Sequence, residues 1–285
     1  MELIVSVNSK ELDKYLKFTN SFIIGLRDFS INYFELDLES IKELLKKYCD
    51  INLFVAINKN IFNDDLKDLE NNLIELSKLN IKGILFYDLS ILSIVKRLDL
   101  KLDLVYNQGH LVTNYNIVEF YKTLGCKYAY LASDITANEM EEISNKVDIN
   151  LMALFIGHVV ISHSKRKLVS NFYQHIGKNN KNELNEITEK GKDNKYYVIQ
   201  NKQGTNILTK EILNGTSAFI NLKDKLKYGI LDNNLISDDV FLDVLKLYKD
   251  NIDLNITDDE LIKKVSDLIG DYDGFFYTKT IYKVK

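Results

Sequence analysis

Three of the four histidines in this chain, and a contiguous Lys165-Arg166-Lys167 triplet, fall in one stretch, GHVVISHSKRKLVSNFYQHIGK, from Gly157 to Lys178. Imidazole titrates near neutral pH and can act as acid, base or ligand. Lysine and arginine supply charge-assisted donors suited to phosphate. His158, next to Gly157, is therefore the leading candidate for proton chemistry. Ser164, Lys165, Arg166, Lys167 and Ser170 are candidates for holding RNA or another phosphate, and Phe172 and Tyr173 could stack on a base. No Asp or Glu occurs between Asp148 and Glu183, while five Lys/Arg do, so this window is +5 in a chain of net charge −4. A solvated helix face, or pairing with the acidic remainder, would give the same pattern. With a pI of about 5.7 the chain lacks the basic footprint of a dedicated nucleic-acid binder, and any RNA contact would be local.

A second set of polar residues follows β-rich runs: Arg27, Asp28, Asn58, Asp88, Asn107, Gln108 and Asp134. If those runs are barrel strands, the residues converge on one rim. Asn58, Asn107, Gln108 and His110 are then candidates for substrate binding, with Asp134 a catalytic candidate beside His158. Strand ends are also polar because they meet water, so these residues carry weight as a set. A metal site built from His110, Asp134 and His158 is conceivable, but no ligand spacing supports it and no metal is expected. There is no His-Glu-x-x-His and no Gly-x-Ser-x-Gly. Cys49 and Cys126 form no metal-spaced pair and read as small buried hydrophobes.

The elements that must position these groups alternate between short apolar runs and segments of helical spacing. Strands are predicted at Glu2 to Val7, Phe22 to Leu26, Leu53 to Asn58, Gly83 to Tyr87, Leu102 to Tyr106, Tyr128 to Ala132, Asn150 to Ile156 and Tyr228 to Leu231. A helix is expected over Ser9 to Phe18, and others follow the later strands. Thr136-x-x-Glu139 and Thr257-x-x-Glu260 have the form of helix-capping boxes. Lys202-Gln203-Gly204 reads as a hairpin turn, Ala218 to Asn221 as a strand, Leu222 to Lys227 as a short helix, and Gly274 to Lys285 as a strand-like tail. Asn179 to Asn194 reads as a polar, exposed connection.

Eight β/α repeats predict an α/β fold, a TIM-like (β/α)8 barrel, over a doubly wound open sheet, since no Gly-rich phosphate fingerprint follows the first strand. The expected organisation is a single barrel domain over 1–285, with an insertion at 179–227 between units seven and eight and a C-terminal extension at 253–285. The start, MELIVSVNSKEL, turns polar within eight residues, and no apolar run approaches the roughly 18 residues of a membrane span. A cytoplasmic protein without a membrane association is expected. The chain has no proline, so its turns must be made with Asn, Asp, Ser and Gly.

Gly157, Ser162, Ser164, Arg166 and Ser170 match the central segment of peptidase family U32, Gly-x-x-Cys-x-Ser-x-Ser-x-Arg-Cys-x-x-Ser. Asn107-Gln108 through Thr113-Asn114, and Tyr272-Asp273-Gly274-Phe275 with Tyr282-Lys283-Val284-Lys285, resemble further parts of that family. The resemblance covers essentially the whole chain. It implies a role in tRNA modification, since short members resemble one half of a pair involved in prephenate-dependent formation of 5-hydroxyuridine at the tRNA wobble position. Many members place iron-sulfur cysteines where this chain has Val160 and Lys167, so no cluster of its own is expected. By the same resemblance tRNA, prephenate or a related small acid, and a cluster-bearing U32 paralogue are the expected partners. A collagenase-like peptidase and a non-catalytic scaffold subunit are the alternatives that the resemblance leaves open.

Overall fold

The structure is a computed structural model and describes residues 1–180, 182–191 and 195–278. The chain begins with β1 (Glu2–Ser6), β2 (Ser21–Leu26), the two-residue β3 (Glu35–Leu36), α1 (Leu38–Lys47) and β4 (Asn52–Ile57). A 3-10 turn at Asn63–Asp65 leads to α2 (Leu66–Leu76), β5 (Gly83–Phe86), α3 (Leu89–Arg97), β6 (Leu104–Tyr106), α4 (Tyr115–Thr123), β7 (Tyr128–Tyr130), α5 (Ala137–Ser144) and β8 (Asn150–Gly157). The chain then leaves the barrel for β9 (Val160–Ser164), α6 (Leu168–His175), β10 (Leu184–Thr188), β11 (Lys195–Asn201), β12 (Gly204–Thr209), β13 (Leu213–Asn214) and α7 (Thr216–Leu222). It returns with β14 (Tyr228–Asp232) and ends in α8 (Asp238–Ile252) and α9 (Asp258–Ile269).

Closure decides between the two architectures. β1 pairs in parallel with β14, from Glu2↔Tyr228 to Ser6↔Asp232, and also with β2 through Val5↔Phe22 and Ser6↔Ile23. With β2, β4, β5, β6, β7, β8 and β14 paired in series, the eight parallel strands form a closed TIM-like barrel. Its interior is packed, as expected of this fold. Phe54, Tyr128 and Tyr228, from three strands that are not neighbours, meet inside with ring centroids 5.7, 5.7 and 6.1 Å apart. Such aromatic pairs add about 0.5–1.5 kcal/mol each beyond the area they bury. Both predicted capping boxes form, at Thr136/Glu139 and at Thr257/Glu260.

Several predicted elements differ. Residues 13–18 form consecutive turns rather than a helix. Leu12 and Tyr15 are fully buried, and the Thr19 hydroxyl donates to the Leu3 carbonyl at 2.6 Å, which draws the chain back to β1 before a second helical turn can form. The 218–221 run is helical: Ala218, Phe219 and Leu222 are buried on one face of α7, a spacing that a four-residue window cannot separate from a strand. The short helix expected after it is replaced by a turn at 223–225, because α7 has already ended at Leu222. The polar 179–194 stretch supplies β10, an edge strand, and its residues 181 and 192–194 lie outside the described residues. Residues 274–278 form turns, and the remainder of the predicted tail strand, 279–285, lies outside the described residues.

The excursion between β8 and β14 builds a four-stranded antiparallel sheet in the order β10-β11-β12-β9. Its edge strand β9 is the beginning of the basic stretch itself. β11 and β12 are joined by Lys202-Gln203, closing on the Asn201↔Gly204 pair. This turn reaches back over the barrel, where the Lys202 ammonium meets Asp28 at 2.5 Å, just past the end of β2. The inserted sheet is thus a roof over the C-terminal mouth.

Candidate functional site

Between the mouth and this roof lies a cavity of about 290 Å³. Ser6, Tyr33, Glu35 and Asp232 line it from the barrel, and Ile199, Asn201, Lys202 and Gln203 from the roof. Ser6 and Asp232 are register partners on adjacent strands, so both side chains point the same way, into the barrel. The Ser6 hydroxyl and the Asn234 backbone N–H donate to the Asp232 carboxylate, the latter at 3.2 Å. Burial nevertheless pushes this carboxyl up to about 6, because two hydrogen bonds do not replace the hydration of a charge. Glu35 is also raised by burial, against the Asp28 N–H and the Lys202 charge that favour its ionised form. Tyr33 is within hydrogen-bonding reach of Asn107, and both Tyr33 and Tyr130 are held well above the ordinary phenol range, first by burial. They stay protonated and available as donors.

Backbone details make room for this group. The β14–β8 pairing slips between Ile230 and Leu231, leaving Phe155 of β8 as the extra residue, and such bulges re-aim nearby side chains. Gly157 then adopts φ +146°, and a Cβ there would stand 2.8 Å from the Asp232 Cβ. Glycine is required on both counts. Sequence reasoning missed Asp232, although a polar Asp232-Asn233-Asn234 run after the eighth strand is the same signal that drew attention to the other strand ends.

The predicted residues are distributed around the mouth in different ways. His158 is buried in the seam between barrel and roof, its Nδ1 2.9 Å from the Thr209 carbonyl and its ring edge-on to Tyr197. It is absent from the cavity lining, and burial lowers its basicity. Asn58 is engaged within the chain: its amide oxygen accepts from Ser30 Oγ and the Ile31 N–H, and its nitrogen donates to the Ile31 carbonyl. Gln108 accepts from the Tyr106 hydroxyl. His110 and Asp134 do come together, with Nδ1 and Oδ2 3.2 Å apart on the rim. Ser164 Oγ accepts from the Arg166 N–H, and Ser170 Oγ from Gln200 Nε2. Lys165 places its ammonium 3.4 Å from the centroid of the Phe62 ring, and Phe62 follows β4, which sets the triplet at the mouth. Among the described residues no acidic side chain pairs with Arg166 or Lys167.

Buried polar atoms without a partner also gather here. Among the described residues they include Asp134 Oδ1, His158 Nε2, Gln203 Nε2, Asn206 Nδ2 and Asn233 Oδ1. All follow barrel strands or belong to the roof sheet. Buried groups of this kind are rare unless water or a ligand completes them.

The profile of Peptidase family U32 matches residues 18–272. This chain belongs to peptidase family U32. Among relatives of this U32 chain, tRNA hydroxylation protein P2 of Bacillus subtilis (strain 168) is 24% identical over 252 residues, 81% of each chain. tRNA hydroxylation protein P1 of the same organism is 28% identical over 147 residues, 52% of this chain and 35% of that one. Among solved structures, a U32 peptidase aligns with TM-score 0.45 and 13% identity over 55% of this chain and 68% of its own. A protein of Aquifex aeolicus VF5 aligns with TM-score 0.46 and 12% identity over 95% and 93%.

Among the described residues of this U32 member no group of three or more His, Cys, Asp or Glu side chains could hold a metal ion, and both cysteines are free. Cys49 follows α1 and is exposed, while Cys126 precedes β7 and is buried. Both lie at the N-terminal end of the barrel, away from the mouth, and burial pushes the Cys126 thiol up to about 12, the reverse of what a thiolate ligand needs. Among the described residues no helix is long and apolar enough to cross a membrane.

Proposed function

We propose that this chain takes part in tRNA hydroxylation, at the wobble uridine and by a prephenate-dependent route, as a subunit without its own iron-sulfur cluster. Lys165, Arg166 and Lys167, with Ser164 and Ser170 beside them, hold the RNA backbone at the rim. The observation that carries this reading is the seating of Lys165 on Phe62, after β4, which holds the first cation of the triplet at the mouth, where its backbone abuts the roof turn at Gly204. Membership in the family, and relatives named for tRNA hydroxylation, support it. A cluster-bearing paralogue of the same family supplies the redox chemistry that these side chains do not, in the cytoplasm where tRNA is modified. Mass spectrometry of tRNA from a deletion strain tests the reading. Loss of 5-hydroxyuridine derivatives is expected, and their unchanged level in a strain lacking other U32 members would overturn it.

A further inference from the structure

We infer that the cavity under the Lys202-Gln203 turn receives a single uracil base swung out of RNA, with Asp232 as the group that accepts its N3–H. The inference rests on the tRNA reading above and adds to it the pocket and the basis of base choice. Enzymes that modify a base reach it by extruding the nucleotide into a fitted pocket. At about 290 Å³ this one lies near the small end of ligand cavities, about 300–1,000 Å³, which suits one ring and its sugar and not a run of bases.

Charge disfavours an anionic acid as the occupant. Two carboxyl groups, Asp232 and Glu35, line the cavity, and the one ammonium on its wall, Lys202, is already paired with Asp28. A dicarboxylate or a phosphate would meet repulsion there, whereas a neutral heterocycle would not. The hydrogen-bonding groups fit uracil in particular. Its edge presents an acceptor, a donor and an acceptor in sequence. Asp232 can only accept while ionised, and the bonds from Ser6 and Asn234 use two of its roughly four acceptor directions. Gln203 Nε2 is a buried donor with no acceptor, and Asn201 and Asn234 also line the cavity. Cytosine would turn its N3 lone pair toward a carboxylate.

The pocket also lies where an extruded base could enter. Ser164 and Thr205 are register partners, and Gly204 sits so tightly on β9 that a Cβ would fall 2.2 Å from the Ser164 carbonyl and 2.9 Å from Lys165 Cα. The turn that roofs the cavity therefore abuts the first residue of the cationic triplet. A phosphate held by the triplet places its nucleotide at the entrance, with the anion outside and the base inside.

The test uses full-length protein and two anticodon stem-loop RNAs that differ only in uridine or cytidine at the wobble position. The uridine RNA should bind about 10-fold or more tightly, the usual scale for a charge-assisted hydrogen bond left unmade. Asp232→Asn keeps the shape but can offer an N–H to cytosine, so discrimination should fall toward unity while overall RNA affinity persists. Gln203→Ala, a change in the roof turn that spares the barrel, should weaken the uridine RNA alone. Equal binding of the two RNAs by the unaltered protein, undiminished discrimination in Asp232→Asn, or displacement of the uridine RNA by millimolar succinate would each overturn the inference. The tRNA of the deletion strain reports separately on the hydroxylation role, so failure of one leaves the other standing.

Discussion

Replacing Asp232 by Asn should make the protein more stable, and by an amount that depends on pH. The carboxyl is raised from an ordinary 3.8 to about 6 in the folded chain, about two units, each worth 1.36 kcal/mol. The folded state thus binds the proton more tightly than the unfolded chain between these values, and stability falls as pH rises through that window. At about pH 8 the full cost, about 3 kcal/mol, is present, and at about pH 4 only about 0.5 kcal/mol of it remains. Asn cannot ionise and escapes this cost, but gives up charge-assisted acceptance from Ser6 and Asn234, about 1 kcal/mol. The net expectation is a gain of about 1–3 kcal/mol at about pH 8, or about 2–5 °C in Tm for a chain of this size, shrinking by about 2 kcal/mol toward pH 4. Urea unfolding of both proteins at the two pH values measures the difference, in which all other titrating groups cancel. A difference that does not change with pH, or a less stable variant at the higher value, would refute the assignment of Asp232 as a carboxylate destabilised by desolvation.

Three further outcomes follow from the same geometry. Gly157→Ala should lower stability by about 2–4 kcal/mol in thermal or chemical unfolding, because the change combines a left-handed φ with a 2.8 Å approach to Asp232. Changing Lys165, Arg166 and Lys167 together to Ala should weaken tRNA binding and reduce the slope of log affinity against log salt by about one for each phosphate that is no longer neutralised. Stability should shift by only about 0.5–1 kcal/mol, the scale of the exposed cation-π interaction with Phe62. Lys202→Ala should speed hydrogen exchange at the β11–β12 turn while leaving global unfolding within about 1 kcal/mol, since both partners of its ion pair with Asp28 are 60% exposed.

The barrel was legible in the sequence because its signal is periodic and repeated: each strand is a short apolar run, and the capping boxes at Thr136 and Thr257 mark their helices locally. What escaped were elements with a tertiary cause. The turns at 13–18 follow from the pull of Thr19 on Leu3, and α7 owes its form to burial against β8 and α9. In the candidate site, strand-end polarity picks out the C-terminal mouth of the barrel but does not say which side chains turn inward. Asn58 is spent on the loop at Ile31, and His158 follows a bulge that turns it to the seam. Asp232 is inward only because its register with Ser6 makes it so. Local sequence carries no trace of that pairing, which spans the first and last strands of the barrel.

The basic stretch after β8 does more than carry charge. It opens at Gly157, whose missing side chain admits Asp232, and its β9 edge then pairs with β12 so closely that Gly204 must lie on the Ser164 carbonyl. One end of the stretch therefore shapes the floor of the cavity, and the other fixes the position of the roof turn and of the cationic triplet. The two glycines lie in left-handed φ regions, at +146° and +132°, and a side chain would crowd Asp232 in the one case and push the roof turn off β9 in the other. A barrel lacking the inserted sheet would retain Asp232 but lose Gln203, the triplet and the shelter that raises the carboxyl. The candidate site lies where the barrel and the insertion meet, and the basic stretch is the segment that joins them.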